Sequence, residues 1–217
     1  MWDGFEPLLG DGRRVIRHEL RGFGDTPPPA SGRFSHASDL EAALDGPAVL
    51  VGASFGGLVC LELAERRPDL VAGLVLLGAP LPDHDFSEEL EAYDAEEERL
   101  LEAGDADGAT ELNVEFWVGG ADPDVREAVR VMQRRAFELQ LASDAEPEMA
   151  ESIDLGRIEA RALVVAGERD HEDFRRIARR LAAELPDASE ATVAGAGHLP
   201  ALERPAETAR LVLAFLD

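Results

Sequence analysis

Val49-Leu50-Val51-Gly52-Ala53-Ser54-Phe55-Gly56-Gly57 decides how the rest of the chain is read. An apolar run stops abruptly at Gly-Ala-Ser-Phe-Gly, and the residues beyond it, Cys60, Leu61, Leu63 and Ala64, recur at helical spacing as far as Arg67, where Pro68 ends them. The pattern predicts a buried strand over Ala48 to Val51, a sharp turn, and a helix that starts near Phe55. Gly52 and Gly56 keep side chains out of the turn where the backbones crowd, so that Ser54 sits strained and exposed at the helix N-terminus, a nucleophile elbow. The amide N–H of Phe55 then points at the spot where an attacked carbonyl oxygen would gain negative charge. Gly-x-Ser-x-Gly is weak evidence alone. Strand before and helix after are what separate it from a plain glycine-rich turn.

On either side of this stretch, strand and helix signals alternate. Arg13 to Leu20 reads as a short strand, and Arg21-Gly22-Phe23-Gly24-Asp25-Thr26 followed by Pro27 to Pro29 reads as a loop. Ser38 or Asp39 is placed to cap a short helix through Leu44. Gly73 to Gly78 and Arg161 to Gly167 are continuous apolar runs of the kind that suits strands buried on both faces of a parallel sheet. Phe174 to Leu185 has helical spacing, Ala191 to Val193 reads as a fourth core strand, and Pro205 to Phe215 as a closing helix. Between Pro82 and about Pro147 the chain turns acidic, with helical spacing, almost no strand signal, and breaks at Gly104, Gly108, Gly119 and Gly120. The expectation is a parallel α/β core over 1–81 and 148–217 with a helical insertion over 82–147.

At 217 residues the chain accommodates one core domain and an insertion. Its one cysteine, Cys60, rules out a disulfide framework and points to a reducing compartment. No apolar run approaches membrane length and the N-terminus lacks the features of a leader, so a soluble cytoplasmic protein is expected. There are 45 acidic and 21 basic residues, all of the latter arginine, for a formal charge of -24. Nucleic acid and anionic membranes are poor partners for such a surface. The acidity has two readings: a GC-rich genome, or adaptation to salt, which screens self-repulsion over about 3 Å at 1 M.

Ligands in open α/β sheets gather at the carboxyl ends of the strands. Asp170 follows the third core strand and His198, in Gly195-Ala196-Gly197-His198-Leu199-Pro200, follows the fourth, so the chain order is Ser54, Asp170, His198. That order suits a triad in which His198 takes the Ser54 proton and Asp170 orients the imidazole. Glu168, Asp173, Asp83 and Asp85 are alternative acids. His18, His36 and His171 read as ordinary loop or surface histidines, whereas His84, at the start of the insertion, is a candidate for touching substrate. Trp117, Phe116, Tyr93 and Met132 are candidate apolar lining from the insertion, against the simpler reading of helix-packing core. No metal-ligand spacing, Walker loop or dinucleotide fingerprint occurs, so no cofactor or metal is expected.

Four segments together resemble the α/β-hydrolase superfamily, in particular its small capped serine hydrolases similar to 3-oxoadipate enol-lactonases. They are Leu20-Arg21-Gly22-Phe23-Gly24, Val51 to Gly57, Gly167-Glu168-Arg169-Asp170, and Gly197-His198-Leu199-Pro200 through Pro205. The resemblance implies an α/β-hydrolase fold with a mostly parallel sheet, a triad of Ser54, Asp170 and His198, and residues 82–147 as a cap. It also implies hydrolysis of a small ester, lactone or thioester by a monomer or homodimer, with a cofactor-free perhydrolase or haloperoxidase as a further use of the same triad. Family members begin with strands that this chain lacks, including one whose His-Gly end provides the second oxyanion donor. The sequence therefore reads as N-terminally truncated, by a misplaced start, real shortening or decay. Losing such a donor costs about 100- to 1000-fold in turnover, which leaves a non-catalytic binding protein as the rival reading.

Overall fold

The computed structural model describes residues 1–10 and 12–217, and the chain divides into two compact units. In chain order the elements are β1 (Ser31–Phe34), α1 (His36–Ala43), β2 (Ala48–Ala53), α2 (Phe55–Arg66), β3 (Val71–Leu77), α3 (Glu88–Glu102), α4 (Ala106–Val118) and α5 (Pro123–Leu141). They continue with β4 (Asp144–Pro147), β5 (Ala162–Gly167), α6 (Glu172–Glu184), β6 (Ala188–Val193), α7 (Pro200–Glu203) and α8 (Pro205–Leu216).

The first unit comprises Met1–His18, His36–His84 and Met149–Asp217. Its sheet is parallel throughout, in the order β2-β3-β5-β6. Every residue of β5 is buried, as are all those of β3 but Ala72, which is why neither run alternates. Val75 and Leu77 of β3 and Leu163 and Val165 of β5 share a core with Ala209 and Val212 of α8 and with Phe5 and Leu9. The two-residue period turns Leu74, Leu76 and Val164 to the opposite face. Helix α2 packs on β2 and β3, and α6 on β5 and β6. In α6 the buried Phe174, Ile177, Ala178 and Leu181 recur at helical spacing, while Arg175 and Arg179 form ion pairs with Glu172 on the outer side.

Two expectations for this unit are corrected. Arg13 to Leu20 forms no strand, and Val15 and Ile16 are 41% and 47% exposed. A strand needs a neighbour, and among the described residues the only strand paired with β2 is β3. The segment is tied down instead by surface ion pairs, Arg13 to Asp217, Arg14 to Asp45, and Arg17 to Asp3 and Glu6. Helix α1 begins at His36, two residues before the expected cap, so Ser38 and Asp39 lie inside its first turn.

The second unit comprises Glu19–Ser35 and Asp85–Glu148, so residues 19–35, expected with the core, belong here. Backbone pairing explains it, because β1 runs parallel to β4 with Ser31 opposite Asp144 and Phe34 opposite Pro147. Three amphipathic helices make up the rest. The Ser87 hydroxyl caps α3 by accepting from Leu90 N–H, and the Asp105 side chain caps α4 by accepting from Gly108 N–H. Gly108 is therefore part of a helix start, and the break falls at Gly104.

Tyr93, Phe116 and Trp117 form an aromatic cluster, with Tyr93 stacked on Phe116 at 4.2 Å and Trp117 edge-on to both. The Trp117 N–H donates to the Tyr93 hydroxyl at 3.0 Å, and that hydroxyl donates to Glu97 Oε1 at 2.6 Å, where Asn113 also donates. Burial first, and then the bond and charge of Glu97, push the phenol well above its ordinary 10.0. A raised phenol means that the unfolded state loses its proton first, so this group's stability contribution is intact below about pH 10 and is lost above it. Tyr93 is the one tyrosine in the chain, which makes absorbance at 295 nm a clean reporter. In an alkaline titration the phenolate signal is expected to stay absent through pH 10 and to rise only together with loss of helical circular dichroism.

Candidate active site

At the end of β2 the chain enters Ser54 with φ 48° and ψ -124°, and Ser54 is the one non-glycine residue with positive φ among those described. Such a conformation costs about 1–3 kcal/mol and persists only where its surroundings fix it. Here the Ser54 N–H donates to Leu77 O at 2.9 Å and the Ser54 carbonyl accepts from Gly57 N–H at 2.8 Å. A Cβ on Gly52 would lie 2.4 Å from the carbonyl oxygen of Gly56, so that glycine is required by close approach. Gly56, expected to be needed for the same reason, has open space where a Cβ would go. The crowded position is Gly57, whose Cβ would meet that of Ala79 at 2.5 Å. Phe55 opens α2, and the buried His36 ring packs edge-on against it at 5.1 Å.

His198 reaches Ser54 from the loop after β6. Its Nε2 lies 2.9 Å from Ser54 Oγ and its Nδ1 2.9 Å from Asp170 Oδ1. The one assignment of protons that satisfies both bonds with an ionised Asp170 puts the ring proton on Nδ1, donating to the carboxylate, and leaves Nε2 to accept from the serine hydroxyl. Asp170 lies in the loop after β5, past Glu168 and Arg169, and its Oδ1 also accepts the His171 N–H at 2.8 Å. Both residues are buried, Asp170 at 4% exposure and His198 at 3%. Phe174, from the first turn of α6, sets its ring edge-on to the imidazole at 4.4 Å. The last residue of β5 matters equally, since a Cβ on Gly167 would sit 1.9 Å from the carbonyl oxygen of Gly197, beside His198.

The alternative acids are engaged elsewhere. Asp173 lies 3.3 Å from His84 Nε2, Asp83 pairs with Arg180 at 2.7 Å, and Glu168 accepts the Gly195 N–H at 2.8 Å. The Arg180 guanidinium holds the Asp83 carboxyl below its ordinary range. Asp85 and Trp117 belong to the second unit. His84, a candidate for substrate contact, is placed against Asp173 in the first. Burial pushes the Cys60 thiol up to about 12, so it packs as a small apolar residue. Among the described residues no group of three or more His, Cys, Asp or Glu is placed to hold a metal ion, and no helix is long and apolar enough to cross a membrane. His36 and Phe174 went unrecognised in the sequence, the first read as a loop histidine and the second as helix core. Only their proximity to the elbow and to His198 sets them apart.

A pimeloyl-[acyl-carrier protein] methyl ester esterase from Aromatoleum aromaticum is 41% identical over 78 residues, 36% of this chain and 31% of that protein. A 2-hydroxymuconate semialdehyde hydrolase from a Pseudomonas species is 38% identical over 98 residues, covering 42% and 35%. The matched stretches thus span about a third of the length of these curated relatives. Among solved structures, a thermophilic esterase from Thermogutta terrifontis superposes with a TM-score of 0.77 at 26% identity, over 99% of this chain and 84% of that one. The model of the family described as "Alpha/beta hydrolase family" matches residues 1–211, and the chain belongs to that family.

Proposed function

We propose that the chain is a serine hydrolase that cleaves a small carboxylic ester or lactone through an acyl-enzyme on Ser54. The observation that carries this reading is the unbroken hydrogen-bonded line from Ser54 through His198 to Asp170, headed by a serine in a strained elbow. Ser54 Oγ attacks the carbonyl carbon while His198 Nε2 takes its proton, and Asp170 stabilises the imidazolium that forms. The Phe55 N–H faces the oxyanion. His198 then gives the proton to the departing alkoxide, and the ester bond breaks to leave the acyl group on Ser54. Water attacks that acyl group by the same route in reverse. The relatives support the substrate class, since both the curated esterase and the solved one carry ester cleavage in their names.

The test is intact mass after treatment with a fluorophosphonate, in dilute buffer and in molar KCl. One adduct per chain, mapped to the peptide with Ser54, is expected. A folded chain that takes no label in either buffer would overturn the reading and favour a binding protein on a hydrolase scaffold. What motivates that second reading is the bare edge of β2, with no strand against it among the described residues to supply another oxyanion donor.

A further inference from the structure

Glu203 lies in the last of the four segments that carry the family resemblance, Gly197 through Pro205, but by itself an acid in a one-turn helix reads as solvated. It is in fact 7% exposed. A carboxylate taken out of water needs compensating donors, and the two it finds flank one residue. Gly197 N–H donates to Glu203 Oε2 at 2.8 Å, and Leu199 N–H donates to Oε1 at 2.9 Å. His198 is the residue between them. Capping the start of α7 would need only the Leu199 amide; the second oxygen reaches past the helix start to the peptide on the far side of His198.

The carboxylate is itself well anchored. Within α7 the Leu202 and Glu203 N–H groups both donate to Leu199 O at 2.9 Å. Thr208 of α8, fully buried, has its hydroxyl 2.8 Å from Pro200 O and 2.9 Å from Arg204 O, which ties α7 to α8. A chain of contacts therefore runs from α8 through α7 and Glu203 to both peptide planes beside His198.

We propose that Glu203 is a positioning residue: by holding the amides on both sides of His198 it sets the direction in which the imidazole projects, so that Nε2 meets Ser54 and Nδ1 meets Asp170 together. The proposal rests on the serine-hydrolase reading for its kinetic consequence but not for its geometric one. Glutamine at 203 keeps the shape yet offers one acceptor oxygen, and its amide group faces the other N–H donor to donor. Aspartate keeps the charge but is one methylene too short to serve both amides.

The experiment follows fluorophosphonate acylation of the parent chain, Glu203→Gln and Glu203→Asp as a function of reagent concentration. Alongside it, proton NMR records the low-field signal of the imidazole N–H shared with Asp170. The limiting acylation rate of Glu203→Gln is expected to fall by about 10- to 100-fold, the scale of a misplacement near 1 Å, with the half-saturating concentration unchanged. The low-field signal is expected to shift or broaden. A folded Glu203→Gln that acylates at the parent rate with the parent's low-field signal overturns the proposal. If Glu203→Gln does not fold, Glu203→Asp is judged by the same two readouts. If the parent takes no label, the hydrolase reading fails while the NMR comparison still decides the clamp: a displaced signal supports it and an unchanged one refutes it.

Discussion

Replacing Ser54 with alanine is expected to lower the turnover of any ester the chain hydrolyses by about a million-fold, with little change in melting temperature. The size follows from the way a nucleophile and its base act as one unit: removing either leaves only the stabilisation offered by binding and by oxyanion donors, about a thousand- to ten-thousand-fold over water. Little change in stability is expected because alanine at 54 has to adopt the same positive φ that serine already bears, and because the bonds that fix this turn are backbone ones, to Leu77 O and from Gly57 N–H. The measurement is the initial rate of p-nitrophenyl acetate hydrolysis by parent and variant at equal concentration, with a melting curve for each. Turnover that survives the substitution within a factor of ten would place the chemistry elsewhere.

Asp170→Asn is expected to cost about ten-thousand-fold in turnover. Asp170 Oδ1 accepts from two donors, His198 Nδ1–H and His171 N–H, and its Oδ2 is buried with no partner among the described residues. An asparagine has two ways to fit. With its oxygen toward His198 it keeps the imidazole tautomer, but the charge that stabilises the imidazolium is gone and an NH2 group is buried without an acceptor. With its nitrogen toward His198 it forces the ring proton onto Nε2, where Ser54 needs an acceptor. Either way the base fails while the fold persists, so the check is turnover beside a circular dichroism spectrum that matches the parent. An Asp170→Asn chain that keeps a tenth of its activity would remove Asp170 from the mechanism.

Much of the framework was legible for one reason: strands buried on both faces leave unalternating apolar runs bounded by glycine. β3 and β5 are of that kind, β2 is apolar throughout although Ala48, Val49 and Val51 are only half-buried, and the residues that follow β2, β5 and β6 contain Ser54, Asp170 and His198. The stretch from Arg13 to Leu20 looked equally strand-like, with Val15 and Ile16 beside each other. Strand preference is a statement about neighbouring strands, however, and among the described residues none pairs with these. β1 and β4 failed in the opposite sense. Ser-Gly-Arg-Phe and Asp-Ala-Glu-Pro pair in backbone register and stay mostly exposed, so periodicity had nothing to detect. The sequence favours Asp170 over Asp173, Asp83 and Glu168 by its place after the third core strand, but all four lie within a few residues of a strand end, and only the coordinates put a distance, 2.9 Å from His198 Nδ1, on the choice. Glu203 was hidden by the same ambiguity that hides most short-helix acids.

An unpaired strand edge is adhesive. Among the described residues β2 pairs only with β3, an arrangement in which an extended segment, including the same strand of another copy, could add to the other side, and edges of this kind in other proteins are blunted by charge, proline or a covering helix. A formal charge of -24 adds a colloidal guard, keeping copies apart at distances where an edge cannot act. Salt that screens the charge to within a few ångströms removes the guard without touching the fold. The ionic strength that relieves repulsion inside one molecule is thus also the condition under which two molecules can meet edge to edge, and the nucleophile sits at the end of the strand they would share.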